Sequence, residues 1–71
     1  MKWTKEQKDE IRNIVDELTR KQAQVLLERW GFAVYQGESM KILRKAVKEN
    51  VLDGTIPLDD LYSIVGGQAR D

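Results

Sequence analysis

The chain has 71 residues, 41% of them hydrophobic, and its 12 lysines and arginines are balanced by 12 aspartates and glutamates. This length predicts one domain over residues 1–71, near the size at which a single core barely outweighs chain entropy. Because the sequence contains no histidine and no cysteine, it excludes disulfides, thiolate zinc sites and the usual acid–base residue of neutral pH. We therefore expect no enzyme activity, no cofactor, no metal ion and no small-molecule substrate.

The sequence shows no membrane or secretory segment. Its longest apolar runs, residues 25–27 and 32–35, fall far short of the roughly 20 residues that a membrane span requires. The first residues, 1–6, lack the apolar stretch of a secretory signal. We expect a cytoplasmic protein with no membrane partner.

Two capping boxes predict the starts of the first two helices. Thr4 opens the first box and Thr19 the second, and each is followed three residues later by a glutamine. The first helix is predicted over residues 4–17. Continuing its apolar stripe would bury Lys21, so we predict a break near Thr19, with one long bent helix as the alternative.

The second helix is predicted over residues 20–30, where Gly31 provides a left-handed stop. The following residues are rich in strand formers but too few for a helix. We therefore predict a short extended connector near residues 32–37.

The third helix is predicted over residues 39–51, ending at the turn that Asp53 and Gly54 favour. Pro57 suits the first position of a fourth helix over residues 57–65. The pair Gly66-Gly67 is expected to stop that helix and leave a frayed tail over residues 66–71. The sequence thus predicts an all-α fold, a small bundle of three to four helices.

The third helix carries a basic face. Its cations recur at i, i+3, i+4 and i+7, and no acidic residue interrupts residues 39–48. Such a face can follow the phosphates of a nucleic acid. Arg20 and Lys21 would add to it if the second helix starts beside it. The predicted nucleic-acid-binding residues of this face are Lys41, Arg44, Lys45 and Lys48.

A solvated helix surface is the competing interpretation of these cations. Lysine and arginine are good helix formers, and two of the four cations have acidic neighbours that could offset part of the charge. Glu38 can pair with Lys41 at i+3, and Glu49 can pair with Lys45 at i+4. The neutral total charge also differs from that of dedicated nucleic-acid domains, which are usually basic.

Residues 18–51 follow the order of a leucine-rich helix, a glycine–aromatic stop, a short link and a basic helix. The residues that carry this order are Leu18-Thr19, Leu26-Leu27-Glu28-Arg29-Trp30-Gly31-Phe32 and Met40-Lys41-Ile42-Leu43-Arg44-Lys45. In this pattern the region resembles the helix–extended–helix superfamily, which includes the SAP, LEM and LEM-like domains. This chain lacks the Gly-Pro sequence typical of LEM links, and it adds a leading helix and a trailing helix.

The resemblance implies binding without catalysis. SAP-type members bind DNA, and LEM-type members bind DNA or a small DNA-bridging protein. Carried over to this chain, the basic positions of the second paired helix fall on Lys41, Arg44 and Lys45. We therefore expect nucleic acid, DNA in the first place, as the partner.

The second function class is a protein-interaction or adaptor module of phage or bacterial accessory type, with self-association into a homodimer as one form. It would use an apolar surface patch that a monomer cannot bury fully. The candidate residues of that patch are Trp3, Phe32 and Tyr35.

The turn at residues 53–56 is similar to the middle of a calcium-binding EF-hand loop. In that register the third position is Val51, which offers no side-chain oxygen. The last position is Asp60, where a bidentate glutamate is expected. We therefore interpret Asp53 and Gly54 as a helix cap and turn.

Overall fold

The computed structural model describes the backbone of residues 2–70 and the side chains of residues 2–66. Over this range the chain forms four helices: α1 Lys5–Asp16, α2 Arg20–Arg29, α3 Met40–Leu52 and α4 Leu58–Arg70. None of the described residues is in a strand. The predicted small all-α bundle is confirmed.

Both predicted capping boxes form. The Thr4 hydroxyl accepts from the backbone N–H of Gln7 at 3.1 Å, and the Gln7 side chain accepts from the Thr4 N–H at 2.9 Å. Thr19 and Gln22 repeat this exchange at the same distances. Because each box satisfies amide groups that have no partner inside the helix, it fixes a helix start. The break near Thr19 is therefore confirmed over the single bent helix.

The stop after α2 is also confirmed. Gly31 has φ +89°, and its N–H donates to the carbonyl of Glu28 at 3.1 Å. The Phe32 N–H reaches back to the carbonyl of Leu27 at 3.0 Å, which completes a Schellman motif. The connector that follows contains turns but no strand, and Phe32 and Val34 pack against the core.

The α3–α4 turn is a helix cap. Asp53 caps α3, and its carboxylate accepts the N–H of Thr55 at 2.9 Å. This hydrogen bond lowers the pKa of Asp53, because it favours the charged carboxylate. Among the described residues no group of three or more acidic side chains is placed to hold a metal ion.

Helix α4 runs past its predicted end. It continues to Arg70, whereas the glycine pair was expected to stop it at residue 65 and leave a frayed tail. Residues 66–70 of that tail are helical, and residue 71 lies outside the described residues. Gly66 does not adopt the left-handed conformation that ends α2, so it continues the helix instead of capping it.

The core forms where α3 packs against both α1 and α2, with α4 against α2. Leu43, Val47 and Val51 of α3 are fully buried, which turns the opposite side of that helix outward. Trp3 and Phe32 are among the half-buried residues that pack around this core. The buried residues are Ile11, Val15, Leu18, Ala23, Leu26, Leu27, Leu43, Val47, Val51, Ile56 and Leu61.

Candidate functional site

The predicted basic face of α3 forms one wall of an open groove of about 330 Å³ between α3 and the end of α1. Ser39 caps α3 by accepting from the N–H of Ile42 at 3.3 Å, and the helix period then fixes which side chains share a face. With Leu43, Val47 and Val51 buried, the cations lie beside Val15 and Asp16 at the end of α1. The structure brings all four predicted cations together in this groove: Lys41, Arg44, Lys45 and Lys48.

These cations have no direct acidic partner. Among the side chains that the structure describes, none of the four takes part in an ion pair. Glu38, the predicted partner of Lys41, instead accepts from the backbone N–H of Tyr35 at 2.8 Å. The predicted pair of Lys45 with Glu49 does not form either. Their positive charge is therefore available to a ligand.

Arg44 is partly enclosed by its surroundings. It is half-buried, and its Nε atom is buried without a hydrogen-bond partner among the described residues. Lys41 and Lys45 are exposed, while Lys48 is half-buried. Lys41 and Lys45 are thus the most accessible of the four cations that line the groove.

Asp16 is the groove residue that sequence reasoning missed. It is the last residue of α1, it is exposed, and it lines the groove beside the buried Val15. It forms no ion pair or side-chain hydrogen bond with any described residue. With four cations and one carboxylate, the lining carries a net charge of +3. The sequence places Asp16 directly after Val15, an apolar residue of the first helix, and this was the one available signal. It does not indicate which helix Asp16 faces, because that depends on the tertiary fold.

The end of α1 adds a further electrostatic element. A helix carries partial negative charge at its C-terminus, and the last turn of α1 contains no basic residue to offset it. The cations of α3 supply that opposite charge from across the groove. They therefore favour the packing of α1 on α3 as well as the approach of an anion.

Arg20 and Lys21 do not join this groove. The Arg20 guanidinium donates to the carbonyl of Glu38 at 2.5 Å, so it lies beside the segment that leads into α3. Both residues line a separate depression on α2 with Gln24 and Glu28. The predicted extension of the basic face is therefore not formed, although Arg20 does contact the entry to α3.

The three aromatic residues of the predicted interaction patch are not equally accessible. Trp3 and Phe32 are half-buried and pack against the core. The indole N–H of Trp3 donates to the carbonyl of Leu52 at 2.7 Å. Tyr35 is 68% exposed. Of the three, only Tyr35 presents most of its side chain to solvent.

Comparison with family models, with curated proteins and with solved structures finds no match to this chain. The resemblance of residues 18–51 to the helix–extended–helix superfamily accordingly stays a prediction. Within the described residues, no helix has both the length and the apolar character needed to cross a membrane.

Proposed function

We propose that this protein is a small, non-enzymatic binding module that contacts nucleic acid, DNA in the first place, through the groove between α1 and α3. The observation that carries the proposal is the convergence of four cations in one open groove without an ion-pair partner. Phosphate groups are the complementary ligands of such a surface.

The dimensions of α3 fit this ligand. From Lys41 to Lys48 the helix rises about 10 Å, at 1.5 Å per residue. Successive phosphates of one DNA strand lie about 3.4 Å apart along the duplex axis, so this rise spans about three intervals, which join about four phosphates. Lysine side chains adapt to such spacing because their stems are flexible and their charge is a point charge.

The charge balance limits the affinity. The chain as a whole has no net charge, and Asp16 opposes phosphate within the groove. We therefore expect dissociation constants in the non-specific range, roughly 10⁻⁴–10⁻⁶ M at physiological salt, with strong dependence on salt.

The test is a salt titration of duplex DNA binding, followed by fluorescence anisotropy. Because each phosphate contact releases counterions, the logarithm of the affinity should fall with the logarithm of salt by about 0.9 per contact, or up to about 3.6 for four contacts. Replacing Lys45→Gln should reduce this slope by about one contact.

Lys21→Gln is the matched control, since Lys21 is an exposed lysine outside the groove. It should leave the slope unchanged. Affinity that does not vary with salt, or an equal loss in both variants, would contradict the proposal. Urea unfolding of the Lys45→Gln variant separates lost binding from weakened packing of α1 on α3.

The adaptor class has less support from the geometry. Two of its three predicted aromatic residues, Trp3 and Phe32, pack against the protein's own core. Tyr35 alone does not form a contiguous apolar patch of the size that marks interaction sites. The groove is therefore the better-supported surface.

A further inference from the structure

Asp16 lines the groove opposite the four cations of α3 but makes no direct contact with a partner of opposite charge among the described residues. It is not the cap of α1, since Glu17 occupies that position. A carboxylate at the C-terminal end of a helix is unfavourable, because it faces the negative end of the helix dipole. Asp16 forms no ion pair or side-chain hydrogen bond with the described residues.

A groove that bound only phosphates would be weakened by this carboxylate. Its oxygens repel phosphate, and an ionised carboxylate can only accept hydrogen bonds. The lining therefore suits a ligand that presents negative charge to the cations and a hydrogen-bond donor to Asp16. In nucleic acids the amino groups of the bases are such donors, and the N4 amino group of cytosine is a known partner of acidic side chains.

We infer that Asp16 is a specificity-determining residue, whose carboxylate accepts a hydrogen bond from a base amino group while the cations of α3 hold the phosphates. This inference rests on the proposed function. It gives a directional preference: cytosine presents an amino group at the edge where thymine presents a carbonyl oxygen and a methyl group. The Asp16 carboxylate should favour the amino group of cytosine and repel the carbonyl oxygen of thymine.

The experiment measures binding of the full chain to oligo-dC and oligo-dT of equal length, so that the number of phosphates is the same. The wild-type protein should prefer oligo-dC by about five- to tenfold, which is the lower end of the effect of one good base contact. In Asp16→Asn the preference should fall to near one, with oligo-dT binding becoming tighter, because an amide also donates to the thymine carbonyl.

Glu17→Gln is the matched control. It removes the same charge one residue away, and Glu17 is exposed and does not line the groove. This variant should keep the preference for oligo-dC. Circular dichroism establishes that both variants are folded, which the exposure of both side chains favours.

Three outcomes would overturn the inference. Equal wild-type affinity for the two strands would show that no base is distinguished. An equal gain in affinity for both strands in Asp16→Asn would show that Asp16 only repels phosphate, with nucleic-acid binding retained. Absence of binding to both strands would overturn the inference even if duplex DNA still binds, and a flat salt titration on duplex DNA would remove the proposed function as well.

Discussion

The Trp3 side chain links the segment that precedes α1 to the end of α3. Its indole N–H donates to the carbonyl of Leu52, the last residue of α3. The final carbonyls of a helix have no partner within the helix, so this bond satisfies one of them. The ring itself is half-buried against the core. Trp3 therefore combines apolar packing with a cap on α3, which explains why it is not part of a free surface patch.

Replacing Trp3→Phe should lower the free energy of unfolding by about 1 kcal/mol, because the aromatic ring is largely kept while the Leu52 carbonyl loses its donor. Urea unfolding followed by circular dichroism measures the change. Trp30→Phe is the comparison: its N–H donates to Asp60 at 2.8 Å in an exposed position, and the cost should be smaller. A larger loss for Trp30→Phe would contradict this account.

Single residues of the groove differ in how far the sequence could predict them. The four cations share a face because of the helix period alone, and that period is visible in the sequence. The burial of Arg44 Nε and the position of Asp16 depend on how α1 crosses α3. Because no local sequence pattern determines how the two helices cross, neither the burial of Arg44 Nε nor the position of Asp16 could be predicted.

At the scale of helices, boundaries follow local chemistry wherever a cap is complete. Gly31 ends α2 because Phe32, the next residue, packs against the core and completes the Schellman motif. Gly66 is followed by Gly67, which has no side chain to make that contact. The same residue type therefore stops one helix and continues another, which is why the end of α4 was predicted too early.

Two glycine substitutions test this difference, because they should change the free energy of unfolding in opposite directions. Gly66→Ala should raise the free energy of unfolding by about 0.5–1 kcal/mol, because Gly66 is helical and a Cβ there meets open space. Gly54→Ala should lower it by about 1–2 kcal/mol, since Gly54 has φ +89°. Urea unfolding measures both. Destabilisation by Gly66→Ala would indicate that the helix ends there after all.

At the scale of the whole molecule, α4 is joined to the rest of the bundle by polar contacts around its apolar seam. Asp60 accepts from the indole of Trp30 at 2.8 Å and lies 3.9 Å from the guanidinium of Arg29. The hydroxyl of Tyr62 donates to the carboxylate of Glu10 at 2.7 Å, which connects α4 to α1. Partners this far apart in the chain could not be paired from sequence, although the helices themselves could be predicted.

The contact between Tyr62 and Glu10 makes part of the stability depend on pH. The hydrogen bond requires the phenolic proton, and the carboxylate repels a phenolate, so the pKa of Tyr62 is raised. A raised pKa means that this stabilisation is complete below the ordinary tyrosine value of 10.0 and is lost as pH rises through the raised pKa. The stability difference between wild type and Tyr62→Phe should therefore be present at neutral pH and disappear in strong alkali.

Urea midpoints of both proteins across that range measure the effect. Tyr35→Phe is the control, because the Tyr35 hydroxyl has no hydrogen bond to the described residues and the side chain is 68% exposed. Its difference from wild type should not vary with pH. A Tyr62→Phe difference that persists unchanged in alkali would contradict the assignment.

The two indoles also give the molecule an optical property. Trp3 lies where the segment before α1 meets the end of α3, and Trp30 lies where α2 meets α4. In a variant that keeps only one of the two tryptophans, the tryptophan fluorescence comes from one of these two contacts alone. Fluorescence of the two single-tryptophan proteins can therefore reveal the order in which these junctions separate as the bundle opens, without any attached dye.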